Sequence, residues 1–129
     1  MKMLLLLLAT SLCLAQNIVL DNRTAYPSPD PKSEMAIQWA GTAKEVEDDN
    51  IALMHGMKQN PDSLQPVQTR GKVPISSTLK AAYFRVLVWT KDSESPDLHT
   101  SWIQIAPDTT YILNTDDLVP SVLISGSGC

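Results

Sequence analysis

Few side chains in this 129-residue chain could do chemistry on a substrate. His55 and His99 are the only imidazoles. A nucleophilic mechanism would need one of them as a base beside an activated serine or cysteine. No Gly-x-Ser-x-Gly elbow accompanies either histidine. A Ser-His-Asp triad could be drawn from the many Ser and Asp here, as from almost any sequence. His99 reads as part of a polar turn and His55 as the end of a helix, places where solvated histidines are ordinary. Structural zinc takes four N or S ligands at close spacing, which two isolated histidines and a terminal cysteine do not supply. The acidic run Glu45, Glu47, Asp48 and Asp49 has the oxygens that calcium takes, but it lacks the Asp-x-Asp-x-Asp-Gly loop that wraps the ion. It reads as the solvated face of a helix. Gly71-Lys72 lacks the upstream glycine and the following Ser or Thr of a phosphate-binding loop. The expectation is a non-enzyme with no cofactor and no metal.

Residues suited to contact are easier to find than residues suited to catalysis. Arg70, Lys72 and Lys80 form a basic group in an acidic chain and are candidates for contact with a sulfated glycan or an acidic protein patch. Their plainer reading is three solvated charges. Asn22-Arg23-Thr24 fits the N-glycosylation pattern. Cys129, the last residue, is a candidate for an inter-chain disulfide and a linked dimer. Met54 and Met57 are adaptable apolar side chains that suit either a core or a binding groove.

The leader sets the compartment in which those contacts would be made. Met1-Lys2-Met3 precedes a leucine block and an apolar run to Ala15, about 20 Å of helix if helical and too short to span a bilayer. Positive start, apolar middle and small residues before Gln16 read as a signal peptide over 1–15. A bacterial lipoprotein site at Cys13 is the rival, but the bulky Leu12 stands where a small residue is expected. Cleavage after Ala15 removes Lys2 and Cys13, shifting the net charge from −4 to −5 and leaving Cys129 as the one thiol. No later apolar run is long enough to span a membrane. The expected product, 16–129, is one exported domain. Its acidic balance speaks against nucleic acid or an anionic membrane as a partner recognised by bulk charge.

Several elements must position these residues. Gln16–Leu20 is a short β-type run, and the three prolines of residues 26–33 make a loop. Met35–Trp39 alternates as a half-buried strand with Trp39 inward. Thr42 and Glu45 match a capping box, and Ala43, Val46, Leu53, Met54 and Met57 share one helical face, interrupted by Asn50. The helix is expected over 43–57. Residues 58–78, with three prolines and Gly71, read as a long loop that could hide one short strand near Gln65–Val67. Ala82–Trp89 is the strongest β signal and reads as a central strand. Further strands are expected at 101–105, 110–113 and 122–124.

The order of these strands resembles a fibronectin type III domain: AIQW ending at Trp39, YFRVLVW ending at Trp89, SWIQIA containing Trp102, and TTYILNTDDLVPS with Leu118-Val119-Pro120. The stretch from Trp89 to Pro120, with His99-Thr100-Ser101-Trp102, resembles such domains in anosmin-type matrix proteins. Ile124 stands where that family has a tyrosine. About forty residues separate Trp39 from Tyr83, and the chain stops where a last strand would begin. The resemblance covers residues 17–41 and 80–128. It implies a mainly β, immunoglobulin-like antiparallel sandwich with one inserted helix; an α+β arrangement is the alternative. The expected function is a secreted, non-enzymatic binding module for a cell-surface, matrix or receptor partner, using the 58–78 loop and a sheet edge near 119–125. A small secreted enzyme inhibitor inserting loop 58–78 into a cleft is the second reading. A truncated product of a longer adhesion-type protein is the third.

Overall fold

The computed structural model describes residues 17–76 and 80–121. The expected signal peptide, the strand at 122–124 and Cys129 lie outside the described residues.

Period-2 alternation builds the core. β1 (Asn17–Asn22) turns Ile18 and Leu20 inward, β2 (Glu34–Ala40) turns Met35, Ile37 and Trp39, and β5 (Tyr83–Trp89) turns Phe84, Val86 and Val88. β2 and β5 run antiparallel with Met35 opposite Val88, Ile37 opposite Val86 and Trp39 opposite Phe84. One sheet has the order β4 (Gly71–Ser76), β1, β8 (Thr110–Leu113); β4 is antiparallel to β1 and β8 parallel to it. The other has the order β3 (Leu64–Pro66), β2, β5, β6 (Leu98–His99), β9 (Val119–Pro120), with β7 (Ile103–Gln104) also on β5. Among the described residues these nine strands and one α-helix make a mainly β sandwich. Phe84 links the two sheets: its ring lies 6.0 Å from Trp39 and 5.0 Å, edge-on, from Tyr111 of β8. Burying each such side chain contributes about 1.5–3 kcal/mol.

The helix lies outside this core. α1 (Ala43–Met54) starts where the Thr42 hydroxyl accepts the Glu45 N–H at 3.1 Å. It ends three residues before the expected Met57. Gly56 adopts φ +65°, its N–H donates to Leu53 O at 3.1 Å, and the Met57 N–H donates to Ala52 O at 2.9 Å. That pair of bonds is a Schellman stop, which needs the left-handed residue that glycine tolerates. Met57 is therefore exposed rather than part of the helical stripe. Leu53 is the buried anchor of α1, and the helix covers the outer face of β2 and β5. No helix among the described residues is long and apolar enough to cross a membrane.

Two segments depart from the expected layout. The stretch 58–78 is not one long loop: β3 stands where the sequence allows a short strand near Gln65–Val67, and a 3₁₀ turn (Pro61–Ser63) and β4 lie within it as well. Pro66 and Pro74, which read as breakers, sit on outermost strands, where a missing N–H costs no ladder bond. The strand expected at 101–105 is split and shifted. Leu87 lies opposite His99, so an unbroken register would put Trp102 opposite Phe84; Ile103 stands there instead. One extra residue is accommodated between β6 and β7, a β-bulge. Thr100 anchors it: its N–H donates to Val86 O at 3.0 Å, and its hydroxyl accepts the Val86 N–H at 2.9 Å.

Candidate functional site

On the outer face of β5, under α1, lies Arg85, a charged side chain only 1% exposed. Its place follows from alternation: Phe84 and Val86 point into the sandwich, so Arg85 points out of it. The Nε–H donates to Gln38 Oε1 at 2.7 Å, Nη1 to Asn50 Oδ1 at 3.0 Å, and Nη2 to the Asp49 carbonyl at 3.2 Å. Gln38 is itself buried and donates to Gln59 Oε1 at 2.9 Å, and Gln59 donates to Met57 O at 3.3 Å. The Trp102 ring centroid lies 4.5 Å from the guanidinium, and its indole N–H donates to Asn50 Oδ1 at 2.9 Å. The bulge explains that position, because a one-residue slip moves a side chain to the opposite face of a sheet.

Among the described residues every direct acceptor of Arg85 is neutral. Among the described residues no carboxylate makes an ion pair with it within 4.0 Å. Asp49 turns its backbone carbonyl, not its carboxyl, to the guanidinium. Burial, only partly offset by Arg85, pushes the Asp49 carboxyl above the usual carboxylate range. Burial lowers Arg85 to about 10, against a smaller upward pull from Asp49, so it stays cationic at neutral pH. A buried charge held only by neutral dipoles is costly, since its lost hydration is not matched by an opposite charge.

A groove of about 440 Å³ opens onto this charge, lined by Asn50, Leu53, Met54, Arg85, His99, Val119 and Pro120. His99 does not lie in a turn as expected. It is on β6, half-buried, opposite Leu87 and therefore on the helix-covered face. Its Nδ1 pairs with Ser121 Oγ at 3.1 Å, which leaves Nε2 for another partner. Burial first, and Arg85 second, hold its pKa below the ordinary imidazole value. The site can therefore present a fixed cation, a neutral imidazole and apolar walls. Among the described contacts His99 has no acid on its other nitrogen and no activated nucleophile beside it.

The residues singled out from the sequence fall elsewhere. Arg70 donates to the Ala25 carbonyl at 2.9 Å, Lys72 lies on β4 opposite Asp21, and Lys80 lies against Gly41 at the end of β2. The expected basic group is thus spread over both sheets. Asn22 is 1% exposed: its Nδ2 donates to Tyr26 O at 2.8 Å and Thr69 O at 3.2 Å, and its Oδ1 accepts the Thr24 N–H at 3.1 Å. A sugar on that nitrogen and this packing exclude one another. Of the two methionines, Met54 lines the groove and Met57 does not. Sequence reasoning passed over Gln38, Asn50, Arg85 and Trp102. The available signal was a polar residue at one place in each apolar pattern: Gln in AIQW, Asn in the helical stripe, Arg in YFRVLVW. No protein-family model, curated protein or solved structure matches the chain.

Proposed function

We infer that the chain is a non-catalytic binding module that acts outside the cell and receives its partner on the helix-covered face of the sandwich. The observation that carries this is Arg85, a buried cation with no carboxylate partner among the described residues, at a groove in the surface. Binding sites of this kind combine apolar walls with a few fixed polar groups. The leader residues 1–15 support export. The order of the Trp39, Trp89 and Trp102 strands supports an extracellular module of the fibronectin type III kind.

The test is secretion of the full chain from a eukaryotic host, then binding of the labelled product to intact cells and cell-deposited matrix. The expected result is a protein beginning at Gln16 whose binding saturates and is displaced by unlabelled protein. Substituting Met54→Arg at the groove should weaken that binding by about tenfold or more, the effect of placing a like charge beside Arg85. Retention inside the cell, or binding that never saturates, refutes the reading. Turnover of an ester, phosphate or glycoside that requires His99 refutes its non-catalytic part.

A further inference from the structure

Arg85 has five N–H groups, and the described residues accept three of them, through Gln38, Asn50 and the Asp49 carbonyl. One N–H on each of Nη1 and Nη2 has no acceptor among the described residues, and Arg85, buried as it is, is one of the residues that line the groove. The ligand that matches a buried cation without a described carboxylate partner is an anion, whose oxygens take charge-assisted hydrogen bonds from the N–H groups left over. The rest of the groove sets the ligand's charge and shape. Arg85 is the only Lys or Arg among the described lining residues, so one negative charge is balanced and a second is not. Leu53, Met54, Val119 and Pro120 offer hydrocarbon rather than donors, which suits an apolar body and not a dianionic phosphate or sulfate.

We propose that this groove binds a monocarboxylate with an apolar body, its carboxylate on the Arg85 guanidinium and its hydrocarbon against Leu53, Met54, Val119 and Pro120. The proposal rests on reading the helix-covered face as the binding face. A free carboxylic acid and the C-terminus of a partner chain present the same chemistry.

Calorimetric titration of the full secreted chain tests it, with hexanoate as the probe and 1-hexanol and hexylamine as length-matched controls. Hexanoate should bind, and hexanol should bind about ten- to a hundredfold more weakly, the worth of a hydrogen bond to a charged group. The decisive variant is Asn50→Asp. It keeps the shape of the acceptor 3.0 Å from Nη1 and gives Arg85 the carboxylate that no described residue supplies. The variant should remain folded by circular dichroism while its hexanoate affinity falls about tenfold or more. Equal affinity for hexanol and hexanoate, hexanoate binding untouched by Asn50→Asp, or no binding at millimolar concentration overturns the proposal. N-acetyl-leucyl-valine and its amide separate the sources. Tighter binding of the peptide acid than of hexanoate assigns the carboxylate to a partner's chain end, and the reverse order assigns it to a free acid. Saturable cell-surface binding without preference for the acid overturns the carboxylate site but leaves the binding module standing. Acid binding without surface binding does the opposite.

Discussion

Asn50 ties the helix to the sheet through a single oxygen, and its removal tests that arrangement. Oδ1 accepts from Arg85 Nη1 at 3.0 Å and from Trp102 Nε1 at 2.9 Å. In Asn50→Ala both donors lose their acceptor. The bond from the charged donor is worth about 1.5–3 kcal/mol and the indole bond about 0.5–1.5 kcal/mol. Against this, alanine is the better helix former by roughly 0.5 kcal/mol. Asn50 is half-buried, so water reaches the vacated space and the low half of the range applies. The expected net loss is about 2 kcal/mol, or about 10 °C in Tm for a domain near a hundred residues. Urea unfolding followed by far-ultraviolet circular dichroism measures it, with an unchanged slope showing that the folded and unfolded states are otherwise comparable. A second leg repeats the substitution on Arg85→Met, where the charged donor is already gone; there Asn50→Ala should cost clearly less. A loss below about 0.5 kcal/mol in the parent background, or the same loss in both, refutes the claim that Asn50 holds the guanidinium.

Three further outcomes follow from the packing. Because His99 titrates below its ordinary value of 6.5, the unfolded chain binds more protons just under that pH, so stability falls as pH drops through 6.5 and levels off below the folded value. His99→Gln should flatten thermal melts across that window; Asp49, whose folded pKa is raised, works in the opposite sense at more acid pH. Asn22→Ala should cost about 2–4 kcal/mol in urea unfolding, because it orphans buried donors and acceptors. The intact mass of folded secreted protein should carry no glycan at that residue. In Gly41→Ala the new Cβ would sit 2.5 Å from the Lys80 carbonyl oxygen. Backbone must shift, at a cost of about 1–3 kcal/mol that a thermal melt would register; an unchanged Tm would refute the close Gly41–Lys80 approach.

What the sequence determined by itself is what depends on near neighbours along the chain. The alternation of Phe84, Val86 and Val88 specifies a strand buried on that face. Met35, Ile37 and Trp39 do the same for its partner, and Thr42 with Glu45 marks a helix start. Each is a local pattern with a fixed period or a fixed cap. The helix end was legible only in part, because the bonds that close the last turn three residues early depend on the positive φ of Gly56. β4 went unread because Pro74 argues against a strand until its outermost position in the sheet is known.

The site was decided by the tertiary structure. An arginine in the middle of YFRVLVW is a lone charge in sequence. It becomes a buried cation only when α1 lies over that face and brings Asn50 and the Asp49 carbonyl to it. Trp102 covers it only because the strand gains a residue between Thr100 and Ile103, which turns the ring to the helix side. His99 likewise leaves its apparent turn for the groove by pairing with Leu87, twelve positions earlier. None of these contacts follows from a local period, since each depends on where a distant segment docks. Whether a polar residue in an apolar run is a solvated interruption or a binding floor is set by what packs across from it.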